Sequence, residues 1–335
     1  MTQDLAQLSA ADLSVLYRAK AASPVEATEA ILARIKLLQP HFNSYRAIEV
    51  QSALAQARAS EARWARGAPQ SRLDGVPVGF KDLANVQDFP IRKGSLATPD
   101  KVETEDSPPA ARLREGGAII LDKTQTAEFG LKGLTETKLG GITPNAWDRQ
   151  YASGGSSGGA AVSAALGLGP LQIGTDGGGS IRSPASVNGV FGFKPIFGRV
   201  AGYPHNGSLF HIGPITGTVT DAALLLNVIA ASDVRDWSSL PKDGGIGPLI
   251  STPESMGCAL ATAVTWEISL SILESSPSST APSRAWPSWT PSSTRSTQAS
   301  ATPRRSSIRS TPSAPSGCAR RLASRDYTTS QQTSS

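Results

Sequence analysis

The 335-residue chain predicts an α/β fold with a largely parallel or mixed sheet. Two observations carry this. Short apolar runs alternate with stretches of helical periodicity from residue 23 to residue 231. Two glycine–serine clusters, at 154–159 and 177–180, stand where a strand hands over to a helix.

The elements follow in order. Ser23-Pro24-Val25-Glu26 reads as a helix start, with a serine cap, proline at the first helical position and a glutamate that closes a capping box. Ile31, Ile35 and Leu38 then recur on one helical face. Residues 42–50 read as a short strand, and the alanine-rich stretch 53–65 as a helix ending near Gly67. Residues 76–80 form a buried strand with Lys81 at its end. A short helix at 110–116 leads into a strand at 118–121. A small-residue helix at 160–166 starts inside the first glycine cluster, and 171–174 is the next strand. A strand at 190–193 and an apolar helix at 221–231, capped by Thr220, complete the series.

Composition narrows the class. The net charge is +5, but residues 275–335 carry eight arginines, no lysine and one aspartate, so the rest of the chain stands at −2 and the basic pI does not point to nucleic acid. The only cysteines, Cys258 and Cys318, support neither a disulfide framework nor zinc spacing. The N-terminus shows no secretory pattern and no run of eighteen apolar residues exists, so the expectation is a cytoplasmic protein without a membrane span.

The chemistry starts from what is missing. The histidines are His41, His205 and His211, no GxSxG elbow surrounds Ser180, and no Gly-Lys-Ser/Thr follows a glycine cluster. Residues 154–159, Gly-Gly-Ser-Ser-Gly-Gly, read in isolation as a flexible linker as well as a backbone turn. The segment Gly174-Thr175-Asp176-Gly177-Gly178-Gly179-Ser180-Ile181-Arg182 offers successive N–H groups, a concavity for a phosphate or an oxyanion, and the serine at its end favours the oxyanion. Lys81, at the end of an apolar strand, is either a lysine that snorkels to the surface or pairs with Asp82, or a buried amine with a lowered pKa. A base, two hydroxyl clusters and a row of N–H donors make a kit for serine acyl transfer without histidine.

From about Leu73 to Ala231 the sequence resembles the amidase signature family. The likeness rests on 73–82 (LDGVPVGFKD), 117–124 (GAIILDKT), 128–130 (EFG), the two glycine clusters, 189–195 (GVFGFKP) and 212–214 (IGP). It implies a mixed β-sheet covered by helices on both faces, with an incomplete C-terminal part. It implies Lys81 as base, Ser156 as relay within a cis peptide bond, and Ser180 as nucleophile. The N–H groups of Gly177, Gly178, Gly179 and Ser180 would hold the oxyanion. Ser157 would support Lys81 by hydrogen bonding, while Asp176 and Arg182 would brace the loop. The implied partner is a small-molecule amide, with no metal, no cofactor, no nucleic acid and no membrane. Members are often dimeric, which leaves a homodimer open. Two local departures are the order of 140–148 (GGITPNAWD) and Gln125 where asparagine is common.

Three segments are expected: a helical one at 1–66, a core at 67–245, and a low-complexity tail at 246–335. In residues 275–335, 35 of 61 residues are Ser, Thr or Pro, a composition that cannot bury enough apolar surface to offset ordering entropy. The tail reads as a disordered linker, a glycosylated stalk, or the product of a shifted frame in GC-rich DNA. Family members run to roughly 450 residues, so the expectation includes weak or no turnover and poor solubility. Three functions remain: an amidase acting through a Ser180 acyl-enzyme, the A subunit of an aspartyl/glutamyl-tRNA amidotransferase, or an inactive truncated product. Glu128-Phe129 and the run 208–214 (SLFHIGP) look more like free-standing amidases.

Overall fold

The computed structural model describes residues 4–204 and 209–241. The expectations for 246–335, for Cys258 and Cys318, and for His205 lie outside the described residues. The strands are β1 (Pro77–Lys81), β2 (Ile119–Thr124), β3 (Glu136–Thr137), β4 (Gly141–Ile142), β5 (Leu171–Asp176), β6 (Phe191–Gly192) and β7 (His211–Thr216). The helices are α1 (Ala10–Arg18), α2 (Pro24–Phe42), α3 (Val50–Ala65), α4 (Pro108–Glu115), α5 (Gly158–Ala165), α6 (Arg182–Asn188) and α7 (Val219–Ile229).

Five strands form a mixed sheet in the order β2-β1-β5-β7-β6, while β3 and β4 make a separate hairpin. The β2, β1 and β5 strands are parallel, whereas β7 runs antiparallel to both β5 and β6. Every residue of β1, β2 and β5 is buried, as expected for strands covered on both faces. One layer holds Val78, Phe80, Ile120, Leu171 and Ile173 with Leu13 of α1, Leu113 of α4 and Leu225 of α7. Ile119 and Leu121 point the other way, against Ile31 and Ile35 of α2 and Ala53 and Ala57 of α3. The alanines of α5 pack with Ile181 and Ile215. The fold is therefore the expected mixed sheet with helices on both faces.

The start of α2 is the capping box read from the sequence: Ser23 Oγ accepts from Glu26 N, and Ser23 N donates to Glu26 Oε2. Two local readings need correction, and one strand goes unread in the sequence. Residues 42–50 form no full strand, only a single antiparallel bridge of Tyr45 to Thr124 of β2. The α2 helix runs to Phe42, and Asn43 turns the chain in the left-handed region. The Gln39 amide then accepts from Ser44 N and Tyr45 N and donates to Tyr45 O, while Arg46 N donates to the Lys123 carbonyl and the Ser44 carbonyl accepts from Gln125 N, so the segment joins the edge of the sheet at one residue only. The cap of α7 is Thr218, whose hydroxyl accepts from Asp221 N, rather than Thr220. Finally, β7 is a full strand, although Gly213 and Pro214 at its middle erase the alternation and remove one ladder donor.

Candidate active site

The parallel pair β1–β5 ends in the two segments that matter chemically. Lys81 is the last residue of β1 and is completely buried. It is not paired with Asp82, whose carboxylate accepts instead from Arg92 N at 3.2 Å. The Lys81 amine lies 2.7 Å from Ser156 Oγ, 2.8 Å from Thr175 Oγ1 and 3.5 Å from the Thr175 carbonyl. Burial pushes its pKa down to about 7, against the opposing pull of the Asp176 charge. A large fraction of this lysine is therefore an uncharged amine near neutral pH.

Ser156 stands just before α5, in a peptide bond with Gly155 that is cis. The first turn of α5 presses against neighbouring backbone. A Cβ at Gly159 would come within 2.4 Å of the Ser44 carbonyl and 2.5 Å of Gln125 N, so glycine alone fits there. Ser157 corrects an expectation, because its hydroxyl bonds the backbone of Thr175 (3.3 Å to the carbonyl, 3.4 Å from the N–H) and not Lys81. The partner that supports the amine is Thr175. Ser157 N–H also donates to the Ser180 carbonyl at 3.2 Å, which ties the two serine clusters together.

The loop from Asp176 to Arg182 wraps around one carboxylate. Asp176 is buried and accepts from Gly179 N at 2.7 Å, from Ile181 N at 3.1 Å and from both arms of the Arg182 guanidinium at 3.0 Å. Burial alone would raise its pKa; the Arg182 contact and these N–H donors outweigh that and hold it at about 2. This brace changes the donor set. The Gly179 N–H is committed to Asp176, so among the described residues the N–H groups of Gly177, Gly178 and Ser180 are the ones left without a partner in this loop.

Ser156, Thr175, Gly177, Gly178, Gly179 and Ser180 share one cavity of about 600 Å³. Among the described residues the Ser180 hydroxyl makes no hydrogen bond; it lines this cavity together with Ser156 without being bonded to it. Such contacts often close only when substrate arrives. Leu83, Phe129, Leu209 and Phe210 give the cavity apolar walls, while Lys93 and Lys132 add positive charge. Lys93 and Phe129 both have positive φ, and Phe129 N–H donates to the Lys93 carbonyl at 2.8 Å.

Sequence reading does not single out Thr175, Lys93 or Phe129 for the site. Thr175 has a visible signal, a hydroxyl on the strand end beside the glycine loop; the left-handed pair has none, because neither residue type favours that conformation. The described histidines take no part in this geometry. His211 Nδ1 lies near the carbonyls of Asp176 and Leu209, and His41 sits beside Arg149. Among the described residues there is no acidic, histidine or cysteine group that could hold a metal, and no helix long and apolar enough to cross a membrane.

A family model described as Amidase matches residues 26–254. The A subunit of the glutamyl-tRNA(Gln) amidotransferase of Chloroflexus aggregans is 41% identical over 220 residues, which is 65% of this chain and 45% of that protein. Among solved structures, a bacterial aryl acylamidase of the amidase signature family is 36% identical with a TM-score of 0.67, covering 70% of this chain and 50% of that one. The peptide amidase of Stenotrophomonas maltophilia is 30% identical with a TM-score of 0.65 at the same coverages, 70% and 50%. The chain spans about half the length of these relatives.

Proposed function

Starting from the fact that the chain belongs to the amidase signature family, we propose that it hydrolyses a carboxylic acid amide, giving the acid and ammonia or an amine, through an acyl-enzyme on Ser180. The observation that carries this reading is a buried amine with a pKa of about 7 hydrogen-bonded at 2.7 Å to Ser156, in a cavity shared with Ser180.

Neutral Lys81 takes the proton of Ser156, and Ser156 takes that of Ser180 as its oxygen attacks the carbonyl carbon. The oxyanion that forms is held by the N–H groups of Gly177, Gly178 and Ser180. Removing one such donor in an oxyanion hole typically costs about 3–4 kcal/mol of transition-state stabilisation. The proton returns along the same path to the leaving amine, which departs as the tetrahedral intermediate collapses. Water then attacks the acyl-enzyme, with Lys81 and Ser156 again receiving the proton. Asp176 and Arg182 act by holding the loop in shape. The apolar walls suit an aryl or small aliphatic acyl group, and the substrate is a small molecule met in the cytoplasm.

Treatment with a fluorophosphonate probe should label Ser180, and Ser180→Ala should abolish the label. A wild-type protein that stays unlabelled on Ser180, with its fold confirmed by circular dichroism, would overturn the proposal.

A second reading is favoured by the name of the 41%-identical relative. In it, the same site releases ammonia from glutamine for a tRNA amidotransferase and works with partner proteins. Glutamine hydrolysis that appears only when such partners are added would select this reading; turnover of simple amides by the chain alone would select the first.

A further inference from the structure

We infer that Thr175 is the residue that orients the Lys81 amine, accepting its two N–H bonds so that the nitrogen lone pair is left facing Ser156. This rests on the amidase reading above, and it adds a positioning role to a residue outside the Lys81–Ser156–Ser180 set.

The inference follows from counting donors. A neutral amine has two N–H bonds and one lone pair; an ammonium has three N–H bonds and no acceptor. Around the Lys81 nitrogen stand three oxygens: Ser156 Oγ at 2.7 Å, Thr175 Oγ1 at 2.8 Å and Thr175 O at 3.5 Å. Thr175 supplies two of the three. When both accept, the remaining position on nitrogen is the lone pair, and it points at Ser156. The Ser156 hydroxyl must then donate to Lys81, which leaves its own oxygen free to receive the proton of Ser180. A lysine whose lone pair were turned elsewhere would donate to Ser156 and could not act as its base.

The same three oxygens satisfy the ammonium that exists after the transfer. Bulk water cannot take over this task, because Lys81, Ser156 and Thr175 are at most 2% exposed. Among the described residues Thr175 Oγ1 has no partner besides Lys81. The threonine is itself well held: it pairs with Ile212 across β5–β7, and its N–H and carbonyl both meet the Ser157 hydroxyl. Ser157 thus steadies the residue that steadies the base.

The test uses Thr175→Val, which keeps the branched shape and removes the hydroxyl, and Thr175→Ser, which keeps the hydroxyl. The first measurement needs no catalysis. With lysine labelled at Cε, the Lys81 resonance is identified by its loss in Lys81→Met and titrated by NMR. The Val variant loses an acceptor for the charged form, so its Lys81 midpoint should move down by about one pH unit, while Ser restores the wild-type value. The second measurement is the rate of Ser180 labelling by the fluorophosphonate against pH. Val should lower the plateau about tenfold and carry the acid limb to lower pH; Ser should recover both. An unchanged Lys81 midpoint in Val overturns the inference. So does a uniform slowing that leaves the midpoint in place and is not rescued by Ser, since that is what lost packing alone would give. If Val does not fold, Thr175→Ala takes its place with the same two readouts. A wild type in which Lys81 shows the Thr175-dependent shift but Ser180 is not labelled would sustain the orientation of the amine and sink the amidase reading.

Discussion

Replacing Lys81 by methionine separates the cost of burying this amine from its use. A free lysine titrates near 10.5, and Lys81 titrates at about 7. The folded pKa is the lower one, so between those values the unfolded chain binds more protons and wild-type stability rises with pH. At 1.36 kcal/mol per pH unit, the burial of this group costs about 4 kcal/mol at pH 7 and about 1.5 kcal/mol at pH 9.5. Methionine fills much the same volume and has nothing to protonate. It does leave Ser156 Oγ and Thr175 Oγ1 without the amine, a penalty of about 1–3 kcal/mol for each unsatisfied group that does not change over this pH range. The readable quantity is therefore the change in the difference between the two proteins, not its value at one pH. Urea unfolding of wild type and Lys81→Met at pH 7 and 9.5 should show wild type gaining about 3 kcal/mol relative to the variant over that interval. Taking the difference removes other titrating groups, including Lys123, which burial also pushes down, to about 8. A stability difference that does not vary with pH would mean that Lys81 is protonated in the folded protein as in the unfolded chain, and the base role would fall with it.

Three further outcomes follow from the same geometry. Ser180 labelling in wild type should fall about tenfold per unit below pH 7, because only the neutral amine can accept a proton; a flat profile from pH 5 to 8 would contradict this. Asp176→Asn should destabilise by about 2 kcal/mol at pH 7, since the folded carboxyl sits at about 2 against an ordinary 3.8; that contribution is present above 3.8 and lost as pH falls through 2, which urea unfolding in acid can follow. Gly159→Ala should cost about 1–3 kcal/mol by pushing a methyl into the Ser44 carbonyl and Gln125 N, and an unchanged thermal midpoint would show that α5 can move away.

Much of this site is legible in the sequence because its parts lie where local rules are strong. A lysine at the end of an apolar strand and serines in glycine turns before helices stand out in the string as candidates, while the roles of Lys81, Ser156 and Ser180 come from the resemblance to the amidase signature family. What the sequence hides is which donor and which hydroxyl meet which partner. Gly179 and Gly178 look alike in the string, yet only Gly179 N–H is taken by Asp176. Ser157 adjoins Ser156, yet the Lys81 amine meets Thr175, contributed by a different strand 94 residues from Lys81. Sheet register decides that choice, and register is a tertiary quantity. The unforeseen β7 and the single bridge at 42–50 have local causes instead: a glycine–proline pair that conceals alternation, and a Gln39 side chain that holds the Ser44 and Tyr45 backbone.

Among the described residues no histidine takes part in the site, and the use of a lysine there has a physical rationale. A lysine can serve as base only if burial removes most of its ordinary preference for the charged form, and burial is safe only if the ammonium, once formed, finds acceptors for all three protons. Parallel strands covered on both faces supply the first condition, since the end of β1 lies fully buried beneath helices. The end of β5 supplies the second, with a hydroxyl and a carbonyl from one residue. The glycines meet a third demand, that backbone come close enough to replace solvent around the reacting oxygen. In the proposed mechanism the conditions depend on one another: an exposed Lys81 would stay charged, a buried one without Thr175 would be a weaker base, and an oxyanion without free N–H groups would lose about 3–4 kcal/mol for each missing donor. The pairing of β1 with β5 is thus the structural step on which the chemistry depends, because it brings a strand-end amine and a strand-end hydroxyl to the same point.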